Sequence, residues 1–436
     1  MSDHVSSMNF VVFAQRDNAL PLDRIEPALA VLQQENALLQ TRITWTEQDG
    51  LRFEPAPHQA IALHCHQRAP DAWQELIEAE LSLPFAVGSA PLVRCHAITL
   101  QVDAATTPQA KTTSVLALTF HHAIADGRSG AALLRRLLAL LANPTPLPHP
   151  RTATALDPMS ALMPANRRWA DQPQETKALR DTLIGDYRRH GKLSPLPWLA
   201  AQATGRSPRF IQVTLDAAVS RQLREHARQQ GTTLHGLICA AQLLAQRTLQ
   251  EVEERSTFFL SCPVDLRPHL INTPAVAPTA MLISLISNTF QIDDTTAIWP
   301  LARAIIDQTR LQLARGEAHL LYHLFGLTSE PVRPSQLKPF AQKVLASLPN
   351  TMVSNIGAVA TVAEDPHVQA ISFALCPMPY QTLFNAASSY AGRLILNVGF
   401  DAERVSPAHA SVLAQQLQMQ LMLALQTRAA DSAQPC

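Results

Sequence analysis

The run His121-His122-Ala123-Ile124-Ala125-Asp126-Gly127 holds the residue types best suited to chemistry. Unperturbed imidazole titrates near about 6.5, so a neutral histidine can accept a proton at cell pH and return it within one cycle. Such a base contributes about 10²–10⁴ in rate. Neighbours at a strand end face opposite sides, so one histidine is expected to face a cleft and the other to brace the loop. Asp126 suits an ion pair or the cap of a following helix, and Gly127 permits a tight backbone turn. The residue types alone leave two other readings open, a polar surface loop and a metal site. Adjacent histidines do not match the one-face helical spacing of metal ligands. His64-Cys65-His66 supplies too few ligands on its strand, so no metal is expected.

A loop of this kind needs rigid elements on both sides. The continuous apolar run over 113–120 predicts a strand leading into it. Leu133, Leu134, Leu137, Leu138 and Leu141 mark one face of a helix over 128–141 leading out. Earlier, the spacing of Ile25, Leu29, Leu32 and Leu39 predicts a helix over 22–39, with strands at 11–13 and 52–53 around it. A second helix over 72–83 stops at Pro84, and 93–100 alternates like a half-buried strand. The Pro-rich segment Asn143–Pro150 opens an irregular region reaching about Ser207, with a helix near 175–190. A domain boundary is expected within 143–207, giving an N-terminal lobe, 1–175, and a C-terminal lobe, 176–436. Beyond it the pattern predicts strands at 210–215, 257–263 and 394–400, and helices at 217–230, 234–249 and 407–425. Both halves mix helix and strand, so the class is α/β or α+β.

At 436 residues two domains are the sensible division. Lysine plus arginine equals aspartate plus glutamate at 35 each, which gives no electrostatic case for nucleic acid or an anionic membrane. No apolar stretch reaches the roughly 18 residues of a membrane span. The start, MSDHVSSMNFVVF, lacks the basic residues and cleavage site of a secretory signal. The six cysteines show no CxxC spacing, so reduced thiols and a cytoplasmic setting are expected. Neither a G-x-S-x-G elbow nor a P-loop is present. The basic stretch Arg180–Lys192 suits CoA phosphates, an acidic carrier protein or simply a solvated helix face. Cys262 is expected either near the cleft or buried among apolar side chains.

HHAIADG matches HHxxxDG, and on this run the sequence resembles the CoA-dependent acyltransferase superfamily. That group includes chloramphenicol acetyltransferase, plant BAHD acyltransferases, nonribosomal peptide condensation domains and mycobacterial polyketide-associated acyltransferases. Further segments agree in order: the opening helix, Pro84-Phe85 with Ala90-Pro91-Leu92-Val93-Arg94, Val264-Asp265-Leu266-Arg267-Pro268, and Val353-Ser354-Asn355-Ile356-Gly357. Asn36-Ala37-Leu38-Leu39 departs from the His-Pro-Leu-Leu often found there. The resemblance spans almost the whole chain. It implies two chloramphenicol-acetyltransferase-like lobes, each a mixed sheet with helices, forming a V around a substrate tunnel.

By the same resemblance His122 would be the catalytic base, with His121, Asp126 and Gly127 structural and Asp126 paired to Arg267 across the lobes. Ser354 and Asn355 would position substrate or stabilise an oxyanion, although a plain strand-end turn fits them equally. The implied reaction moves an acyl group from a CoA or carrier-protein thioester to a hydroxyl. An amide-forming condensation enzyme and a catalytically silent recruitment module are the alternatives. Acyl-CoA or acyl-phosphopantetheine would be a co-substrate, with no bound cofactor. An alcohol or amine would accept, and a monomer would suffice.

Overall fold

The computed structural model describes residues 7–46, 50–86, 88–101, 113–143, 157, 159–168, 173–189, 193–194, 196–200, 206–250, 255–271, 279–319, 350–378 and 381–426. The first half runs β1 (Asn9–Arg16), α1 (Leu22–Gln34), β2 (Thr41–Thr46), β3 (Gly50–Pro55), β4 (Ala62–Arg68), α2 (Trp73–Ser82), β5 (Val93–Leu100), β6 (Thr113–His121) and α3 (Gly127–Ala142). The short α4 (Met159–Leu162) and α5 (Pro173–Arg189) follow. Then come β7 (Pro208–Leu215), α6 (Ala217–Gln229), α7 (Leu234–Arg247), β8 (Ser256–Asp265), β9 (Ile283–Ile292) and α8 (Ile298–Arg315). The described chain closes with β10 (Asn350–Val359), β11 (Val368–Leu375), β12 (Gln381–Tyr390), β13 (Arg393–Asp401) and α9 (Pro407–Ala424).

These elements form two mixed sheets, each with its own helices, and a small β2–β3 hairpin. The first sheet has the order β11-β1-β6-β5-β4, and the second β7-β13-β12-β10-β8-β9. The strand β6 lies centrally in the first sheet and is buried from Ser114 to His121, which explains its unbroken apolar run. Leu133, Leu134, Leu137 and Leu138 of α3 join Ile25, Leu29 and Leu32 of α1 in one core on that sheet. The other face carries Trp73, Ile77 and Leu81 of α2. In the second lobe α7 is apolar on nearly every side, because the sheet and helices α8 and α9 enclose it.

Three expectations change in contact with the structure. The helix over 22–39 ends at Gln34, and a 3-10 turn at Ala37–Gln40 follows. Asn36 adopts extended backbone and donates its Nδ2 to the Leu32 carbonyl at 2.7 Å, competing with the next helical turn. The strand over 93–100 is not half-buried, since helices cover both faces of its sheet. His96 on this strand is buried, with Nε2 3.2 Å from Glu80 of α2, which also pairs with Arg94 at 2.8 Å. Third, β11 comes from the second half of the sequence but completes the edge of the first sheet beside β1. Much of the expected boundary at 143–207 lies outside the described residues, and so does the end of the basic stretch 180–192, which begins on α5.

Candidate active site

A cavity of about 320 Å³ opens between the two sheets. Its wall is largely apolar, with Phe10 from β1, Leu285 from β9, Phe373 from β11 and Phe384 from β12, and Met8, Met281, Met352 and Met378 among its lining. Thioether side chains adapt to irregular apolar partners. Into this surface projects His122.

The backbone N–H of His122 donates to the Met8 carbonyl at 2.8 Å, fastening the loop after β6 to the start of β1. Its ring packs on Phe10 with centroids 4.9 Å apart. Nδ1 is buried with no full hydrogen bond among the described residues, so Nε2 is the nitrogen left to the cavity. Burial pushes the imidazole pKa below its ordinary value, against a smaller upward pull from nearby carbonyls and Asp126. The ring is therefore neutral near pH 7 and able to accept a proton.

His121 turns the other way. It is buried beside Phe85, and its Nδ1 accepts the Ala123 N–H at 3.1 Å, which tightens the turn. Burial, reinforced by the neighbouring His122, pushes its pKa down to about 4.

Asp126 caps α3 and is wholly buried, and its carboxylate has three donors. Oδ1 accepts the Ser129 N–H at 2.9 Å, while Oδ2 accepts Arg267 Nη2 at 2.8 Å and the Leu282 N–H at 3.0 Å. Arg267 also donates to Ser129 Oγ at 2.8 Å and to Asp265 at 2.9 Å. Burial works to lower Arg267, yet the carboxylates of Asp126 and Asp265 outweigh it and raise its pKa. Asp126 bonds neither histidine. It ties the loop after β6 to the 3-10 turn Arg267–His269 and to the segment before β9.

Gly127 differs from its expected use. It begins α3 without a positive φ, so no left-handed turn requires glycine there. The requirement is close approach: a Cβ would stand 2.9 Å from Ile356 Cγ2 and 3.6 Å from Phe373. Ser354 and Asn355 line the same cavity from β10, at an irregularity in its pairing with β12. Asn355 Oδ1 accepts the Gly357 N–H at 2.8 Å, and Gly357 has φ +80°. With that oxygen engaged, Nδ2 is the part of Asn355 able to donate to a bound group. Cys262 precedes the cavity-lining Pro263 but packs into the second-lobe core.

Sequence reasoning missed Phe10, Ser129 and the bridging Asp265. Asp265 stood inside a quoted motif, and Ser129 three residues beyond Asp126 was a legible cap partner. Phe10 gave no local signal, because strand pairing alone brings it beside His122.

Residues 204–398 match the family described as phthiocerol/phthiodiolone dimycocerosyl transferase C-terminus. No curated protein matches the chain by sequence. The first condensation domain of the calcium-dependent antibiotic synthetase is similar, with TM-score 0.70 at 14% identity over 97% of this chain and 92% of that one. Trichothecene 15-O-acetyltransferase from Fusarium sporotrichioides gives 0.67 at 14% identity, over 96% and 91%. Polyketide synthase associated protein 5 from Mycobacterium tuberculosis gives 0.61 at 18% identity, over 97% and 94%. At these identities the likeness is one of fold. The chain thus has the fold of the CoA-dependent acyltransferase superfamily to which HHAIADG pointed, and its residues 204–398 match the C-terminal family of the dimycocerosyl transferases.

Proposed function

We propose that the protein transfers an acyl group from a CoA or carrier-protein thioester to a hydroxyl, with His122 as general base. The observation that carries this reading is a half-buried imidazole that lines an apolar cavity between the sheets with its Nδ1 buried. The acceptor O–H gives its proton to Nε2 as its oxygen attacks the thioester carbonyl. The tetrahedral intermediate collapses, the C–S bond breaks, and the imidazolium returns the proton to the departing thiolate. A thiol of pKa near about 8.5 leaves readily, so no covalent enzyme nucleophile is needed. Holding donor and acceptor in one cavity supplies orientation. Asn355 Nδ2 and the Ser354 hydroxyl are the candidates to steady the oxyanion. Asp126 and Arg267 act by positioning the loop.

The apolar wall favours an acyl chain or acceptor with a large hydrocarbon surface. Both cavity walls come from one chain, which fits a monomer, and free thiols fit the cytoplasm. The test gives wild type and His122→Ala acyl-CoA and acyl-carrier donors with a panel of alcohols and amines, read by product mass and thiol release. Wild-type ester formation should fall by about 10²–10⁴ in His122→Ala. Amide products would move the assignment to condensation chemistry. Carrier binding without turnover in both proteins would replace the enzyme with a recruitment module.

A further inference from the structure

Away from the cavity, His235, Cys239 and Cys262 converge inside the second lobe. His235 and Cys239 stand four residues apart on α7, so one helical face presents both. Cys262 reaches them from β8, against which α7 packs. Cys239 and Cys262 are buried, and His235 is half-buried. Cys239 Sγ lies 3.7 Å from Cys262 Sγ and 3.7 Å from His235 Nε2. The three donor atoms all fall within 4.8 Å of one another, and no other trio of His, Cys, Asp or Glu among the described residues does so.

Those separations have a chemical meaning. A tetrahedral zinc ion with bonds of about 2.3 Å to sulfur and about 2.0 Å to nitrogen sets two thiolates about 3.8 Å apart. It sets a thiolate and an imidazole nitrogen about 3.5 Å apart. The Cys239–Cys262 and Cys239–His235 separations, 3.7 Å each, lie close to the edges of such a tetrahedron. Thiols buried only to fill space need no imidazole among them, and S–H contacts are weak compensation for burying one. We propose that His235, Cys239 and Cys262 bind one zinc ion, with water in the fourth position.

Soft thiolates and imidazole select such an ion over hard magnesium or calcium. Binding displaces the thiol protons to solvent. None of the three residues lines the cavity, so the ion takes no part in acyl transfer. It fastens α7 to β8, whose last residue, Asp265, is an ion-pair partner of Arg267. The sequence concealed the site because two ligands share a helix while the third lies on a later strand.

The test uses the full chain, tag-free and reduced. Elemental analysis after dialysis should read one zinc per chain. Cadmium titration of the apo-protein should raise an ultraviolet thiolate-to-cadmium band that saturates at one equivalent. Cys239→Ser and Cys262→Ser should each lose the zinc and most of the band, whereas Cys65→Ser, altering an exposed thiol, should keep both. Because a core variant can misfold, the wild-type titration stands alone: no band with the thiols verified as reduced overturns the site. So does unchanged zinc content in Cys239→Ser and Cys262→Ser proteins whose circular dichroism matches wild type.

Discussion

His122 sits where its charged form is disfavoured, and that sets the direction of a pH profile. Burial holds the imidazole below the reference value of 6.5, and only the neutral ring can take a proton from an acceptor. Activity is therefore lost as pH falls through the lowered pKa and is full above it. In kcat/KM, which reports the free enzyme, the acidic limb should have its midpoint below 6.5. A midpoint above that value would mean that Asp126, rather than burial, governs the ring. The histidine pair and the aspartate were legible because they lie in seven contiguous residues. Phe10, whose ring packs at a tilt on His122, was not, since more than a hundred residues of chain separate the two and only the register of β1 on β6 unites them.

The elements around the site meet through Asp126, and the ion pair is best tested between them. Arg267→Ala leaves a buried carboxylate with only its two backbone donors, the N–H groups of Ser129 and Leu282. Loss of one partner of a buried pair costs about 3–5 kcal/mol, because the remaining charge stays desolvated. Urea unfolding should show a loss of that order, and turnover should fall with it. Wild-type stability and turnover in Arg267→Ala would remove the pair as the brace of the loop. Elements with clean periodicity, such as α3 and β6, were readable from the sequence. By contrast, β12 is buried at all ten positions although Gln381, Thr382, Asn385, Ser388 and Ser389 are among them. Asn385 donates to Gln242, and Ser388 donates to the Ile371 carbonyl at 3.0 Å. Internal hydrogen bonds hold several of these polar groups in the core, although Asn385 Oδ1 has no partner among the described residues, so neither alternation nor an apolar run marked the strand.

For the whole molecule, acid stability depends on the network joining α2 to β5. Burial works to raise Glu80, yet the hydrogen bond and charge of His96, with Arg94, bring its pKa from 4.5 down to about 2. A depressed carboxylate stabilises the fold above its unfolded pKa, and the contribution fades as pH falls through the folded one. Wild type should exceed Glu80→Gln by roughly 3 kcal/mol in urea unfolding above pH 4.5, and the gap should close toward pH 2. A gap that persists at pH 2 would assign the difference to packing instead. At this scale the two-lobed class was legible from motif order, but the partner of β1 was not, because nothing in residues 9–16 specifies which distant strand completes their edge. That pairing bears on how the chain is made. As the protein leaves the ribosome, β6 is at hand for β1, but β11 does not exist until synthesis has passed residue 375. Throughout that interval β1, buried at seven of its eight positions in the finished fold, offers an unprotected adhesive edge. A fragment of residues 1–206 made alone should collect in inclusion bodies, and co-production of 207–436 should draw it into solution. A soluble, monomeric fragment would show that the nascent edge is shielded by some other means.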